Sequence, residues 1–452
     1  MSSPRYRAYK DSGVDWLGDV PAHWQVSAFR RSLASPLANG IFKKNEDFGS
    51  GILLINVFDI YRDDHRVAYS DLERISCTRD EQRAYEVIAG DVFFVRSSLK
   101  EEGIAAVSVA EAVPEPVVFE CHLIRARTDQ SLLGGRFCSY LFNSAQYRAQ
   151  MIRRAKITTM TTIDQEAILS FPVVRPPVGE QGIIVAFLDR ETAKIDALVA
   201  EQQRLIELLK EKRQAVISHA VTKGLNPAAP MKDSGIEWLG KVPRHWELTT
   251  FRRVARIEEG QVSPTDERFS DWILVAPNHI ESGTGRLLQL ETAGEQAAIS
   301  GKYRVRAGEV IYSKIRPALN KVCISDIDCL CSADMYPIRV SNGLLAPYLL
   351  YLMLSQPFVK LMVDESMRVA MPKINRDTLN ACRIAIPPLG EQKTLVLHIH
   401  SPVDKFDALM SEAESAIRLL QERRTALISA AVTGKIDVRG LVTPHPAKEA
   451  AA

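Results

Sequence analysis

Residues Gln181 to Leu225 read as one long helix, and nearly the same segment returns at Gln392 to Ile436, 211 positions later. In the first copy Leu188, Ile195, Leu209 and Val216 stand on a seven-residue ladder with Gln202 on the middle rung, and Leu198 and Leu205 form a companion ladder. In the second copy the rungs are Ile399, Phe406, Ala413, Leu420 and Leu427, with Leu409 and Ala416 beside them. Each copy is entered through Pro-Pro-x-Gly-Glu-Gln, at Pro176 and at Pro387, where prolines bar the preceding chain from continuing as helix. Each closes near a glycine, Gly224 or Gly434, suited to a left-handed cap. Roughly forty residues rising about 1.5 Å each make a rod on the order of 60 Å. A lone rod with an apolar stripe is a poor monomer, so the two are expected to pack on each other as an antiparallel coiled coil joining halves related by a pseudo-two-fold axis. Pro402, in the first turns of the second rod, predicts a kink there.

The repetition extends beyond the rods. Asp11-Ser12-Gly13-Val14-Asp15-Trp16-Leu17-Gly18-Asp19-Val20-Pro21-Ala22-His23-Trp24 returns from Asp233 to Trp246 at an offset of 222, and Ala89-Gly90-Asp91-Val92 returns from Ala307 at 218. From Tyr140 against Tyr351 onward the offset holds at 211, so the second copy is shorter within its first two thirds while the rods keep strict length. The expected domains are a first lobe at 1–178, a first spacer helix at 179–226, a second lobe at 227–389, a second spacer helix at 390–437 and a flexible tail at 438–452. Each lobe reads as α+β. The first has strands at Ile52–Ile60, Asp91–Arg96, Ala105–Val109 and His122–Arg127, a helix over Arg136–Arg154 and a strand at Ile168–Val174. The second follows with strands at Trp272–Ile280, Glu309–Lys314 and Met335–Val340, a helix over Pro347–Val363 and a strand at Arg383–Ile386. Outside the framing motifs the lobes diverge: Arg62-Asp63-Asp64-His65 has Glu281-Ser282-Gly283-Thr284-Gly285 in its place.

Composition narrows the functional classes. With 46% apolar residues the chain has ample material for cores, and 57 Lys plus Arg against 55 Asp plus Glu announce no polyanion partner by net charge, so any basic face is local. The seven cysteines form no CxxC pair and no zinc-spaced cluster, and read as reduced thiols of a cytoplasmic protein. No signal-peptide pattern opens the chain, and the most lipid-like stretch, Leu344 to Val363, contains Pro347, Gln356, Pro357 and Lys360 and reads as core helix.

Catalytic signatures are missing. Gly434-Lys435 has Ser429 where a phosphate-binding loop needs its first glycine and Ile436 where it needs a hydroxyl. No Gly-x-Gly-x-x-Gly turn follows a strand, and both Pro-Pro pairs lead into helices, which excludes the motif of an amino-methyltransferase. Glu391-Gln392-Lys393 matches the tail of a nuclease motif, but its twin at Glu180 has Gly182 in place of the lysine. His23 and His245 sit identically in Pro-x-His-Trp with no second recurring metal ligand, which favours packing or capping. Cations instead recur by position: Arg30 and Arg31 against Arg252 and Arg253, Arg96 and Lys100 against Lys314 and Arg316. A polar loop before each last strand offers Lys156, Thr159 and Thr161 in one lobe and Arg368, Lys373 and Asn375 in the other. Arg and Lys neutralise phosphates, and Arg, Lys, Asn and Thr can read base edges, so these residues are the expected contacts to double-stranded DNA.

The Trp-Leu-Gly-x-Val-Pro-x-His-Trp entry, the Pro-Pro-x-Gly-Glu-Gln junction and the rod ending Ile217-Ser218-His219-Ala220-Val221-Thr222-Lys223-Gly224, each present twice, resemble the DNA-specificity subunit of type I restriction-modification enzymes. The resemblance spans essentially the whole chain. It implies two target-recognition domains, each reading one half of a split, asymmetric site, and a non-catalytic chain that docks two methyltransferase subunits and, through them, motor-nuclease subunits. AdoMet, ATP and Mg²⁺ then belong to the assembly and not to this chain. The outer faces of the rods, with charged positions such as Arg204 and Glu207 at the rim, are the expected methyltransferase surface. A standalone enzyme, a coiled-coil scaffold indifferent to DNA and a two-domain DNA-binding regulator are the rival readings.

Overall fold

A computed structural model describes residues 4–157, 160–341, 343–366 and 372–441. The chain divides into two compact units, residues 1–201 with 416–452, and residues 202–415. Both long helices, Val178–Lys223 and Leu389–Val432, therefore contribute one half to each unit. In the first unit Asp196 pairs with Arg424 (2.9 Å), and in the second Arg213 pairs with Asp407 (3.0 Å). Moving up one helix from 196 to 213 corresponds to moving back along the other from 424 to 407, so the two helices pack antiparallel in one register, as expected. The second helix runs on through Pro402, whose missing N–H leaves the carbonyl of His398 without its helical donor.

The seam differs from the expectation in its companion ladder. Leu188, Ile195 and Leu209 are buried, but Leu198, Leu205 and Leu409 are exposed. The buried companions lie four residues after the main rungs: Thr192, Ile206, Arg213 and Ala220, answered by Val403, Met410 and Ala431. The correction has a physical cause. Two of these positions carry polar side chains that apolar periodicity passes over, yet both are satisfied, Thr192 by the Leu188 carbonyl (2.8 Å) and Arg213 by Asp407.

In the first unit the central strand Asp91–Val95 is wholly buried within a four-stranded antiparallel sheet that also holds Ala38–Asn39, Leu123–Arg127 and Val107–Val109. In the second, Val310–Ser313 takes the same place beside Ala255–Ile257, Met335–Val340 and Val322–Ile324. The recurrent Gly-Asp/Glu-Val motif is explained at this sheet. Gly90 (φ +93°) and Gly308 (φ +84°) turn left-handed into the strand. Asp91 then receives Arg127 at 2.8 Å, and Glu309 receives Arg339 at 2.7 Å. Each lobe closes on a two-stranded pairing of its entry segment with its exit segment, Gln25–Ala28 with Pro172–Arg175 and Glu247–Thr250 with Arg383–Ile386.

Several expected elements change form. The stretch expected as strand Ile52–Ile60 ends at Ile55 and continues as a 3-10 turn, Val57–Ile60, because Asp59 caps the Asn56 N–H (2.7 Å). Trp272–Ile280 likewise shortens to Leu274–Val275 with a turn at Pro277–His279. Residues 165–169 are helical, not strand, under the cap of Asp164. The two long lobe helices each break at a serine, giving Gly135–Asn143 and Ala145–Arg154 around Ser144, and Ala346–Leu354 and Gln356–Ser366 around Ser355. Both hydroxyls return to the preceding turn, to Leu141 O (2.7 Å) and Leu352 O (2.6 Å). The freed N–H groups of Ala145 and Gln356 are taken by Ser429 and Ser218 of the long helices.

The framing motifs assemble around the helix junctions. Glu180 accepts from the Trp24 indole (3.1 Å), bonds His23 Nε2 (2.7 Å) and accepts from the Tyr6 hydroxyl (2.7 Å). Glu391 meets Trp246 and His245 at the same distances, 3.1 and 2.7 Å. Gln181 and Gln392 then tie the incoming chain, each donating to the proline carbonyl five residues earlier and to one lobe carbonyl, and accepting one lobe N–H. Both histidines are thus structural partners of a carboxylate. Val438 is buried and Arg439 stacks on Tyr6, so the expected tail begins with two residues held against the first unit, Gly440 and Leu441 are exposed, and residues 442–452 lie outside the described set. Among the described residues no single helix is long and apolar enough to cross a membrane; one sharply bent pair, Ala346–Leu354 with Gln356–Ser366, passes by length and composition and contributes buried side chains to the core of the second unit. All seven cysteines are free.

Candidate nucleic-acid interface

The two basic segments expected in each lobe meet. In the first lobe the buried central strand emerges at exposed Arg96, and Ser97–Ser98 then pairs antiparallel with Thr161–Thr162, which pairs in turn with Lys156–Ile157. The Arg96 carbonyl accepts from Ile163 N–H at 3.0 Å. The next residues form the helix Gln165–Leu169, whose cap Asp164 also receives Lys156 Nζ (3.1 Å). The Ala167 N–H, and after it Lys156, hold the Asp164 carboxyl below its usual range. Glu166 on the same helix receives Arg30 at 2.7 Å. Arg30, Arg31, Arg96, Lys100 and Lys156 are all exposed. The two ion pairs are surface pairs, each contributing only about 0–1 kcal/mol, so a phosphate can compete for either cation.

The second lobe repeats this edge with other side chains. Ile315 bridges Lys373, Ile374 N–H donates to Lys314 O (2.8 Å), and Arg316 N–H donates to Pro372 O (3.1 Å). Arg316 holds a left-handed backbone (φ +47°), an unusual conformation for a residue with a side chain, and stands exposed. Lys373 is exposed. Lys314 is turned inward, donating to Ala333 O (2.7 Å) over the Tyr336 ring, and Asn375 caps the helix Arg376–Ala381 through Thr378 N–H (2.7 Å). Arg252 and Arg253 are exposed on the turn Phe251–Val254, which packs on that helix.

Of the remaining expected contacts, Thr161 is only 6% exposed and lies beneath the edge. Thr159 and Arg368 lie outside the described residues. Arg204 and Glu207 are exposed on the first long helix. Sequence reasoning missed the apolar members of the first edge, Phe58 and Leu99. Leu99 lies inside a stretch noticed for its charge, and a single leucine in a polar loop has no periodicity to announce it. Glu120, Cys121 and His122 bring ligand-type atoms within 4.8 Å of one another. Burial raises both the Glu120 carboxyl and the Cys121 thiol, and Glu120 already accepts from His122 N–H (3.0 Å).

The chain can now be set beside known proteins. Residues 254–418 match the family described as type I restriction modification DNA specificity domain. The type I restriction enzyme EcoDI specificity subunit of Escherichia coli is 30% identical over 294 residues, covering 62% of this chain and 65% of that relative's length. The putative type I restriction enzyme MjaX specificity subunit of Methanocaldococcus jannaschii is 21% identical over 430 residues, covering 94% and 96%. Among solved structures, a chain from work on complex assembly and conformational transition of the type I R-M system aligns with a TM-score of 0.69 at 13% identity, covering 91% and 98%. The HsdS subunit from Thermoanaerobacter tengcongensis aligns with a TM-score of 0.51 at 14% identity, covering 92% and 98%. At such identities the structural matches speak for the fold; the family match over 254–418 and the curated relatives, of which the first named is spanned over just under two thirds of its length, make the chain similar in sequence to the DNA-specificity subunits of type I restriction-modification systems.

Proposed function

We propose that this chain is the sequence-reading component of a type I restriction-modification complex, with each lobe reading one half of a bipartite, asymmetric DNA site. The observation that carries the reading is the doubled edge. In both lobes the end of the central strand and the loop before the last strand are hydrogen-bonded into one exposed, cation-bearing surface, and the side chains on the two surfaces differ. One scaffold with two surface chemistries suits two different half-sites. Arg30, Arg31, Arg96, Lys100 and Lys156 serve the first half, and Arg252, Arg253, Arg316 and Lys373 the second, mostly through phosphates, with base edges read from the loops. Lys314 and Asn375 shape the second edge, and Thr159 and Arg368 join the contacts on their residue type alone.

The chain itself cuts and methylates nothing in this reading; those steps belong to two methyltransferase subunits and to motor-nuclease subunits held through them. Support for a repeated partner comes from the long helices. Leu198 and Leu409 are exposed at equivalent positions, as are Leu208 and Leu419, so each helix offers the same apolar pair to water, with Arg204 and Glu207 nearby on the first. Methylation mapping of the host genome with and without the gene tests the proposal. Loss of methylation at one bipartite motif is expected, and an unchanged methylome refutes it.

A further inference from the structure

The first lobe carries a feature beside its edge that cations do not explain. A cavity of about 700 Å³ opens between the turn Val57–Ile60 and the segment Ser97–Gly103, and its mouth is formed by Phe58 and Leu99, each 85% exposed. Phe48, Tyr61 and Lys100 also line it. Two large apolar side chains held almost fully in water forgo about 1.5–3 kcal/mol each of burial, which marks a surface that is covered when the protein works. Glu73, Glu102 and Glu120 line the cavity as well. Glu73 is held by the Asn56 amide (2.8 Å) and Glu120 by the His122 N–H (3.0 Å), so these two carboxylates are fixed in place.

This arrangement fits one face of duplex DNA better than another. Phosphates are drawn to Arg96, Lys100 and Lys156 along the edge and repelled by the carboxylates lining the cavity, so DNA lying on the edge turns its groove, not its backbone, to the cavity. The apolar group that a groove offers is the C5-methyl of thymine, presented in the major groove beside the hydrogen-bonding atoms. A carboxylate next to it can accept from a cytosine amino group in the same groove. The second lobe has no such pair at the corresponding place, where Lys314-Ile315-Arg316 leads into a buried proline.

We propose, resting on the DNA-reading function above, that the first lobe selects a thymine in its half-site by placing the C5-methyl against Phe58 and Leu99 at the mouth of this cavity. A methyl group buried in an apolar contact adds about 0.8 kcal/mol, which is roughly four-fold in affinity. The test uses the full chain in complex with its co-encoded methyltransferase and duplexes carrying the mapped bipartite site. Each thymine is replaced in turn by deoxyuridine, which removes only the methyl, and binding is followed by fluorescence anisotropy. The expected result is a roughly four-fold loss at one position or two adjacent positions of one half-site. The double variant F58A/L99A should bind thymine and uracil duplexes equally there, while K373A should keep the discrimination. Both residues are exposed, so the double variant should melt at the wild-type temperature. Specific binding of the mapped site with no thymine-to-uracil effect anywhere, or with the effect preserved in F58A/L99A, overturns the inference and leaves the DNA-reading function standing. A half-site without thymine on either strand overturns it equally. No preference for the mapped site over a scrambled duplex removes the function and the inference together.

Discussion

The two interhelical arginines occupy equivalent positions in the repeat, and the structure predicts that losing them will not cost the same. Arg213 and Asp407 are nearly sealed from water, their side chains 5% and 10% exposed, and the Arg213 guanidinium also donates to the Gly283 and Thr284 carbonyls, both at 2.8 Å. Arg213→Ala leaves a buried carboxylate without its counter-charge and two carbonyls without donors, a loss of about 3–5 kcal/mol. Arg424 pairs with Asp196 in the open, with exposures of 15% and 45%, and reaches a single loop carbonyl, that of Asp63. Arg424→Ala should cost about 1 kcal/mol. Replacing both members of the buried pair, as in R213M/D407L, should recover most of the loss, because a buried ion pair and an apolar pair of similar size are close in net stability. Chemical denaturation followed by tryptophan fluorescence reports the first unit, which holds Arg424, through Trp16 and Trp24 and the second, which holds Arg213, through Trp238, Trp246 and Trp272. Equal losses for the two single variants, or a double variant no better than R213A, would refute the assignment of burial as the source of the difference.

Four further outcomes follow from the same geometry. Glu180→Ala should destabilise more than Glu391→Ala in thermal melts, since Glu180 is the more buried and gathers three donors against two. Burial, then Arg424 and Arg136, lower the His65 imidazole to about 4 against an ordinary 6.5, so the unfolded chain binds the proton first and stability should fall as pH drops from about 6.5 towards 4; His65→Asn, which tolerates the φ of +55°, should flatten that slope in pH-dependent denaturation. Arg316→Gly should leave the melting temperature unchanged or slightly raised, because glycine adopts the left-handed backbone freely, while DNA affinity falls. Lys373→Ala should lower affinity across sequences and reduce the slope of log K against log salt by about 0.9, the signature of one lost phosphate contact.

The repeat made much of this architecture readable in advance. The prolines and glycines bounding the long helices, the paired entry motifs and the strands at 335–340 and 383–386 emerged at or near the positions the residues suggested. What escaped was decided by polar side chains with tertiary partners. Thr192 and Arg213 sit in the helix seam because a carbonyl and a carboxylate meet them there, and a count of apolar rungs puts Leu198 and Leu205 in their place. Ser144 breaks a helix that has no proline or glycine at the break, and Ser355 stands two residues before Pro357; in both, the hydroxyl turns back on its own helix while a serine of a long helix takes the next N–H. The candidate interface was visible as separate patches of charge, but that Ser97–Ser98 lies against Thr161–Thr162, and Ile315 against Lys373, depends on strand pairing across distant segments. The inward turn of Lys314 has no local signal at all.

The central claim is that the two edges read independently. Methylation mapping in cells whose only copy of the gene carries alanine at Ser97, Leu99 and Lys100 tests it most directly. The account predicts that one half of the bipartite motif becomes degenerate while the other half and the spacing between them persist; a change in both halves together, or an unaltered motif, would contradict it.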